Sequence, residues 1–193
     1  RKNKTSSTVE ASRNFANKLW NATKFVLMNC SSTRTELKKL DYMDGYLDLT
    51  HQWILSKLNR TKKELYNLLS NYKIGEAAKL IYEFAWNDFC DWYLEFQKLR
   101  LNNPEFQNRS LSESLLKEIL NNILTMMNPF MPHITEELWH SLNQESEDIL
   151  LSLRRWPTIE AKYLNDNLEK KFERLFEIIR LIRNLRAELG LKP

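Results

Sequence analysis

The sequence predicts an all-α protein, an antiparallel bundle of amphipathic helices. Three observations carry that expectation. Only three glycines and five prolines punctuate 193 residues, which favours long helices over a strand-and-turn architecture. Apolar residues recur at every third or fourth position through most of the chain. The breaks between these runs are short, as in helices that return alongside one another. With 42% hydrophobic residues, the chain can bury the core of one domain.

Each element follows in turn. A first helix runs from about Thr8 to Asn29, with Phe15, Leu19, Ala22 and Val26 on its apolar stripe. A Ser- and Thr-rich segment, 30–35, breaks it, and Asp44-Gly45 marks a further break. Thr50 is placed to cap a second helix ending near Ser70, because its hydroxyl can accept from a first-turn amide. A third, longer helix spans about Ile74 to Leu99, its stripe formed by Ala78, Tyr82, Ala85, Phe89, Trp92 and Phe96. Asn102-Asn103-Pro104 stops it. Ser110 or Ser112 caps the next helix, which reaches Asn128, and Pro129 and Pro132 bracket a kink because neither continues a helix ladder. A short helix over 134–142 follows. The segment 149–157 is the only stretch expected to be extended or irregular. The last helix runs from about Leu168 to Leu189, with Phe172, Leu175, Ile179 and Ile182 as its stripe and Gly190 at its end. Residues 1–7 are polar and are expected to be a linker, with the bundle occupying 8–193.

Composition narrows the function classes. The net charge is +4, from 29 basic and 25 acidic residues, which is compatible with a polyanionic partner without identifying one. Cys30 and Cys90 stand at neither metal-ligand nor redox spacing and are expected to be reduced thiols of a cytoplasmic protein. No apolar run approaches the roughly 18 residues of a membrane span, and no signal-peptide pattern opens the chain. His133, Glu137 and His140 share one helical face, but this lone Glu-x-x-His has no second half as a di-iron bundle requires, so no metal is expected. No Ser-His-Asp order and no glycine-rich phosphate loop occur. The chain is expected to carry no catalytic residue and no cofactor of its own.

The outer face of the first helix is unusual. At roughly 100° per residue, Asn14, Lys18, Asn21 and Phe25 share an arc of about 60°, with Asn17 and Lys24 beside them. Asparagine is a poor helix former, so three on one face gain nothing local. Amides can meet base edges, a ring can stack on a base, and lysines can neutralise phosphates. The same face could instead pack on a neighbouring domain. On the third helix, Asp88, Asp91 and Glu95 stand at i, i+3 and i+7 and share a face. They could accept from exposed amino groups of bases or form a solvated acidic stripe paired with lysines. Arg180, Arg183 and Arg186 on the last helix could meet phosphate or lie on a solvated or interdomain face.

Several runs resemble the anticodon-binding domain of the valyl-tRNA synthetases. Arg13-Asn14-Phe15-Ala16-Asn17-Lys18-Leu19-Trp20-Asn21-Ala22, continuing to Phe25-Val26-Leu27, is similar to that family's opening helix. Trp53-Ile54-Leu55-Ser56-Lys57-Leu58 resembles its second helix, and the stretch from Tyr82 to Glu95 its third. The run Asn128-Pro129-Phe130-Met131-Pro132-His133-Ile134, continuing to Trp139, resembles a signature shared with isoleucyl and leucyl relatives. So does Ile182-Arg183-Asn184-Leu185-Arg186-Ala187-Glu188, the segment before the C-terminal extension. The resemblance extends from Val9 onward.

The resemblance implies a fragment of a class I synthetase whose complete enzyme activates valine with ATP and magnesium, charges valine tRNA and edits threonine. The implied partners are valine tRNA and the neighbouring catalytic domain of the same parent chain. It also implies that Lys18, Lys24, Phe25, Leu94 and Glu95 face the anticodon loop, with Asn14 and Asn21 beside them. HIGH- and KMSKS-type catalytic motifs, the editing domain and a zinc-ligand cluster are absent from this sequence. Two departures weaken the carry-over. Lys24 stands where relatives can carry arginine, which loses the bidentate fork, and residues 5–12 carry no basic group. The alternatives are the same domain of an isoleucyl or leucyl enzyme, or a non-catalytic helical scaffold whose first helix binds protein.

Overall fold

The structure, a computed structural model, describes residues 7–30, 47–103, 105–106, 108–144 and 148–191. The breaks expected at 31–35 and Asp44-Gly45 lie outside the described residues. So do residues 1–6 of the expected linker, whereas Ser7 already belongs to the first helix. The elements are α1 (Ser7–Asn29), α2 (Leu49–Ser70), α3 (Ile74–Glu83), a π-helical segment (Phe84–Tyr93), α4 (Leu94–Leu101), α5 (Arg109–Met127), α6 (Pro132–Asn143) and α7 (Asp166–Glu188). The described residues contain no strand. The segment expected to be extended or irregular carries a 3₁₀ turn, Leu151–Leu153. It is anchored by a hydrogen bond from the Leu151 N–H to Glu136 Oε2 at 2.8 Å.

Phe15, Leu19, Ala22 and Val26 of α1 are all buried, as their spacing requires. They pack on α5, α6 and the π segment. The cap of α2 is Asp48 rather than Thr50. Its carboxylate accepts from the N–H groups of Thr50 at 2.8 Å and His51 at 3.1 Å. Thr50 lies inside the helix and donates its own hydroxyl to Asp48. α2 closes with Tyr72 at φ 58°, so that the N–H of Lys73 reaches back to Leu68 O at 2.9 Å, and α3 turns back along α2. Neither expected serine caps α5. The helix starts earlier, at Arg109, and Ser112 lies buried inside it with its hydroxyl 3.2 Å from His51 Nε2. The Arg100 guanidinium also lies 3.2 Å from that nitrogen. Burial lowers the His51 pKa to about 4 despite the opposing pull of Asp48, so Nε2 is the acceptor of a neutral ring.

The third helix is continuous from Ile74 but is not α-helical throughout. At the end of the π segment the N–H of Leu94 reaches back five residues to Phe89 O, whereas at its start the N–H of Phe84 still bonds to Leu80 O and Ile81 O. π turns are rare and concentrate at functional sites. Of the expected stripe, Ala85, Phe89 and Trp92 are buried, whereas Ala78, Tyr82 and Phe96 are only half-buried. Ala77, Ile81, Phe84, Tyr93 and Leu94 complete the buried line. Within the π segment Asp88 and Asp91 are turned apart. Asp88 pairs with Lys57 of α2 and Asp91 with Lys18 of α1, so Asp88 does not share the face of Asp91.

α7 is capped by the side chain of Asn165, which accepts from Leu168 N at 3.0 Å. Its first half is held by Trp53 and Trp92. Phe172 stacks on Trp53 at 5.1 Å and Phe176 on Trp92 at 3.8 Å between centroids. Beneath them Glu169, 5% exposed, accepts from the Ser56 hydroxyl and from Arg60 Nε. Arg60 also pairs with Asp166. The expected stripe of α7 needs correction. Phe172 and Phe176 carry the packing, while Leu175 and Ile182 are 43% and 53% exposed. Beyond Phe176, Ile179 still packs against the core, while Ile178, Leu181, Ile182 and Leu185 are exposed. Gly190 takes φ 66° and closes the helix by the bond from Leu191 N to Arg186 O at 2.9 Å. No described helix is long and apolar enough to cross a membrane.

Candidate nucleic-acid interface

The outer edge of α1 lies beside the π segment and α4. Phe15, Tyr82 and Trp86 form a stack, with Tyr82 and Trp86 at 5.7 Å and 17°. The Lys18 ammonium sits over the outermost ring, 3.7 Å from the Trp86 centroid, and pairs with Asp91 Oδ1 at 2.5 Å. One turn further, Phe25 is half-buried against the core. Lys98 Nζ stands 5.8 Å from the Phe25 centroid and 2.5 Å from Glu95 Oε1. Two ammonium groups, two carboxylates and a half-buried ring therefore line the side of the π segment and α4 that meets α1, and this strip is termed the groove.

Asn14, Asn17, Asn21 and Lys24 are exposed, and no hydrogen bond or ion pair joins their side chains to another described residue. Of the residues expected on this face, Lys18 meets the π segment and Phe25 meets Lys98 of α4. Lys24 lies further round, toward solvent. Glu95 is exposed on α4 and belongs to the groove. Leu94 does not. It is 5% exposed and part of the core, because the π register that precedes it turns its side chain inward. It can only support the groove from below.

Sequence reasoning missed Lys98 and Trp86. Lys98 was within reach, since a lysine three residues after Glu95 lies on the same helical face. Trp86 was not, because its place under Lys18 depends on the π turn. Cys90 lies beneath the groove as a free thiol, its pKa raised to about 12 mainly by burial, and is therefore unreactive. Among the described residues no three His, Cys, Asp or Glu side chains gather as a metal shell.

This arrangement suits a single-stranded nucleic acid. Flat rings and outward amides meet bases, lysines meet phosphates, and paired carboxylates can accept from base amino groups. Comparison with known proteins agrees. The family described as "Anticodon-binding domain of tRNA ligase" matches residues 51–193. The chain is 62% identical over its whole length to a valine–tRNA ligase of Prochlorococcus marinus subsp. pastoris, covering 21% of that protein. It is 53% identical to that of P. marinus strain NATL2A, again over all of this chain and 21% of the relative. Identity to the valine–tRNA ligase of Synechocystis sp. is 46%, over 97% of this chain and 21% of that protein. The chain thus spans about a fifth of the length of the curated relatives it matches.

Proposed function

This chain belongs to the anticodon-binding domain family of tRNA ligases, and we propose that it reads the anticodon loop of valine tRNA on behalf of a valine–tRNA ligase. The observation that carries the reading is the groove at Phe25, where a stacking ring, a carboxylate and an ammonium converge from α1 and α4. The names of the relatives favour valine over the isoleucyl and leucyl alternatives. The charged, amide-rich edge of α1 favours RNA over a protein-binding scaffold.

Single-stranded loops are recognised by splaying bases out, stacking them and bonding their edges. Phe25 stacks a base. Glu95, or an amide of Asn14 or Asn21, accepts from an exocyclic amino group. Valine anticodons carry adenine in the middle. Its N6 amino group donates to a carboxylate, whereas guanine presents the acceptor O6 at that position and carries its own amino group, N2, elsewhere on the ring. Lys18, Lys24 and Lys98 hold phosphates. Leu94 supports this surface from the core.

The parent enzyme attaches valine to the tRNA using ATP and magnesium, in the cytoplasm, at a neighbouring catalytic domain of the same chain. The residues here do not fit an ATP–magnesium site. Three glycines in 193 residues build no backbone-amide cradle, and no step of that chemistry runs through them.

Phe25→Ala tests the reading. Base–aromatic stacking contributes about 1–3 kcal/mol, so binding of a valine anticodon stem-loop should weaken by a factor of about 5 to 150. Unchanged binding by a folded Phe25→Ala protein removes the stacking role.

A further inference from the structure

On the other flank of the same helix, two arginines of α7 converge on one ring. Arg180 Cζ lies 5.8 Å and Arg183 Cζ 5.7 Å from the centroid of Trp92. Trp92 is itself fixed, 7% exposed and stacked on Phe176 at 12°. The two arginines are one helical turn apart and both are exposed. Neither pairs with a carboxylate of the described residues. The two cations that line the α1 groove differ in this respect, since Lys18 is matched by Asp91 and Lys98 by Glu95, and Lys24 lies away from the groove toward solvent. A guanidinium steadied by a ring face keeps its planar N–H fork available, and that fork fits phosphate oxygens.

We propose that Arg180 and Arg183 form a second phosphate clamp, which takes the RNA backbone on the α7 side of the π segment and α4. The inference rests on the anticodon-loop reading and extends its binding site. Asp91 and Trp92 are consecutive residues, one turned to Lys18 of α1 and the other lying under the two arginines. A loop seated on Phe25 therefore crosses one helix, about 10 Å wide, to reach them. The carboxylates it crosses, Asp91 and Glu95, are already compensated by lysines. The outward charge on the far side is the unmatched guanidinium pair.

The test compares Arg180→Gln/Arg183→Gln with Lys170→Gln/Arg174→Gln, which removes the same charge from the exposed first half of α7. Affinity for the valine anticodon stem-loop is measured from 50 to 200 mM salt, and thermal melts confirm that both variants fold. Single-strand contacts contribute about 0.7 each to the slope of log affinity against log salt. The Arg180/Arg183 variant should lose about 1.4 from that slope and bind about tenfold more weakly at low salt. The control should keep the wild-type slope. The preference for the middle base should survive, because phosphate contacts carry no sequence information. Wild-type slope and affinity in the Arg180/Arg183 variant overturn the clamp and leave the anticodon reading standing. Failure of the wild-type chain to bind the stem-loop overturns that reading, and the clamp with it.

Discussion

Lys98 lies over Phe25. Its ammonium stands 5.8 Å from the centroid of that ring while pairing with Glu95 at 2.5 Å. α1 supplies the ring and α4 supplies both charges, so the site exists only where these two helices meet. A stacked base, its edge and its phosphate can each find a partner within one helical turn of α4.

Lys98→Gln separates phosphate contact from simple shielding of the ring. If the ammonium turns from Phe25 to a phosphate when RNA binds, the salt slope should fall by about 0.7 with the middle-base preference intact. Tighter binding by Lys98→Gln would mean that the lysine only obstructs the ring.

Asp91→Asn should strengthen RNA binding. It removes a negative charge from the groove and frees Lys18, now held at 2.5 Å. A unit charge interaction at this range is worth about 1 kcal/mol in water, a gain of about fivefold. Because the pair is partly exposed, stability should change by less than about 1 kcal/mol. Filter-binding and melting curves check both, and weaker binding would place Asp91 in direct contact with a base.

Asp88 makes stability depend on pH. Burial raises its pKa to about 6, with Lys57 opposing and Glu169 and Glu173 adding. The unfolded carboxyl titrates near 3.9. Between these values the folded state holds the extra proton, so this group stabilises the fold below about pH 4 and loses that contribution as pH rises through 6. Asp88→Asn should therefore melt higher than wild type at pH 7, with the difference vanishing at pH 4. Comparing the two proteins cancels His51, whose lowered pKa acts in the opposite sense over the same range.

Arg60→Ala should destabilise more than Glu169→Gln. Removing the arginine leaves Glu169, 5% exposed, as an uncompensated buried charge, at a cost of about 3 kcal/mol or more. For a domain of this size that lowers Tm by roughly 6–12 °C. The glutamine keeps an acceptor for Arg60 and Ser56. Equal losses would contradict this ordering.

Much of the fold was legible because burial follows period. The α1 residues Phe15, Leu19, Ala22 and Val26 are buried as their spacing requires. Along the third helix the period held for Ala85, Phe89 and Trp92, which are buried, but not for Ala78, Tyr82 and Phe96, which are half-buried, and it did not foresee that Asp88 turns away from Asp91. Period also says nothing about whether a stripe is covered. Leu175 and Ile182 have the right spacing in α7 but are 43% and 53% exposed. Of the candidate site, the edge Asn14, Lys18, Asn21 and Phe25 was legible from the helix wheel, and Glu95 from the family resemblance. The burial of Leu94 was not, since it follows from the π turn. The convergence of Arg180 and Arg183 on Trp92 was not legible either, because it joins residues about ninety positions apart.

The most direct test of the central claim is binding of this chain, at low salt, to a valine anticodon stem-loop and to the same loop with its middle adenine changed to guanine. Base readout in the Phe25 groove should favour the adenine loop by about 1–3 kcal/mol, a factor of about 5 to 150. Equal affinity for the two loops would contradict base readout and reduce the groove to a non-specific phosphate-binding surface.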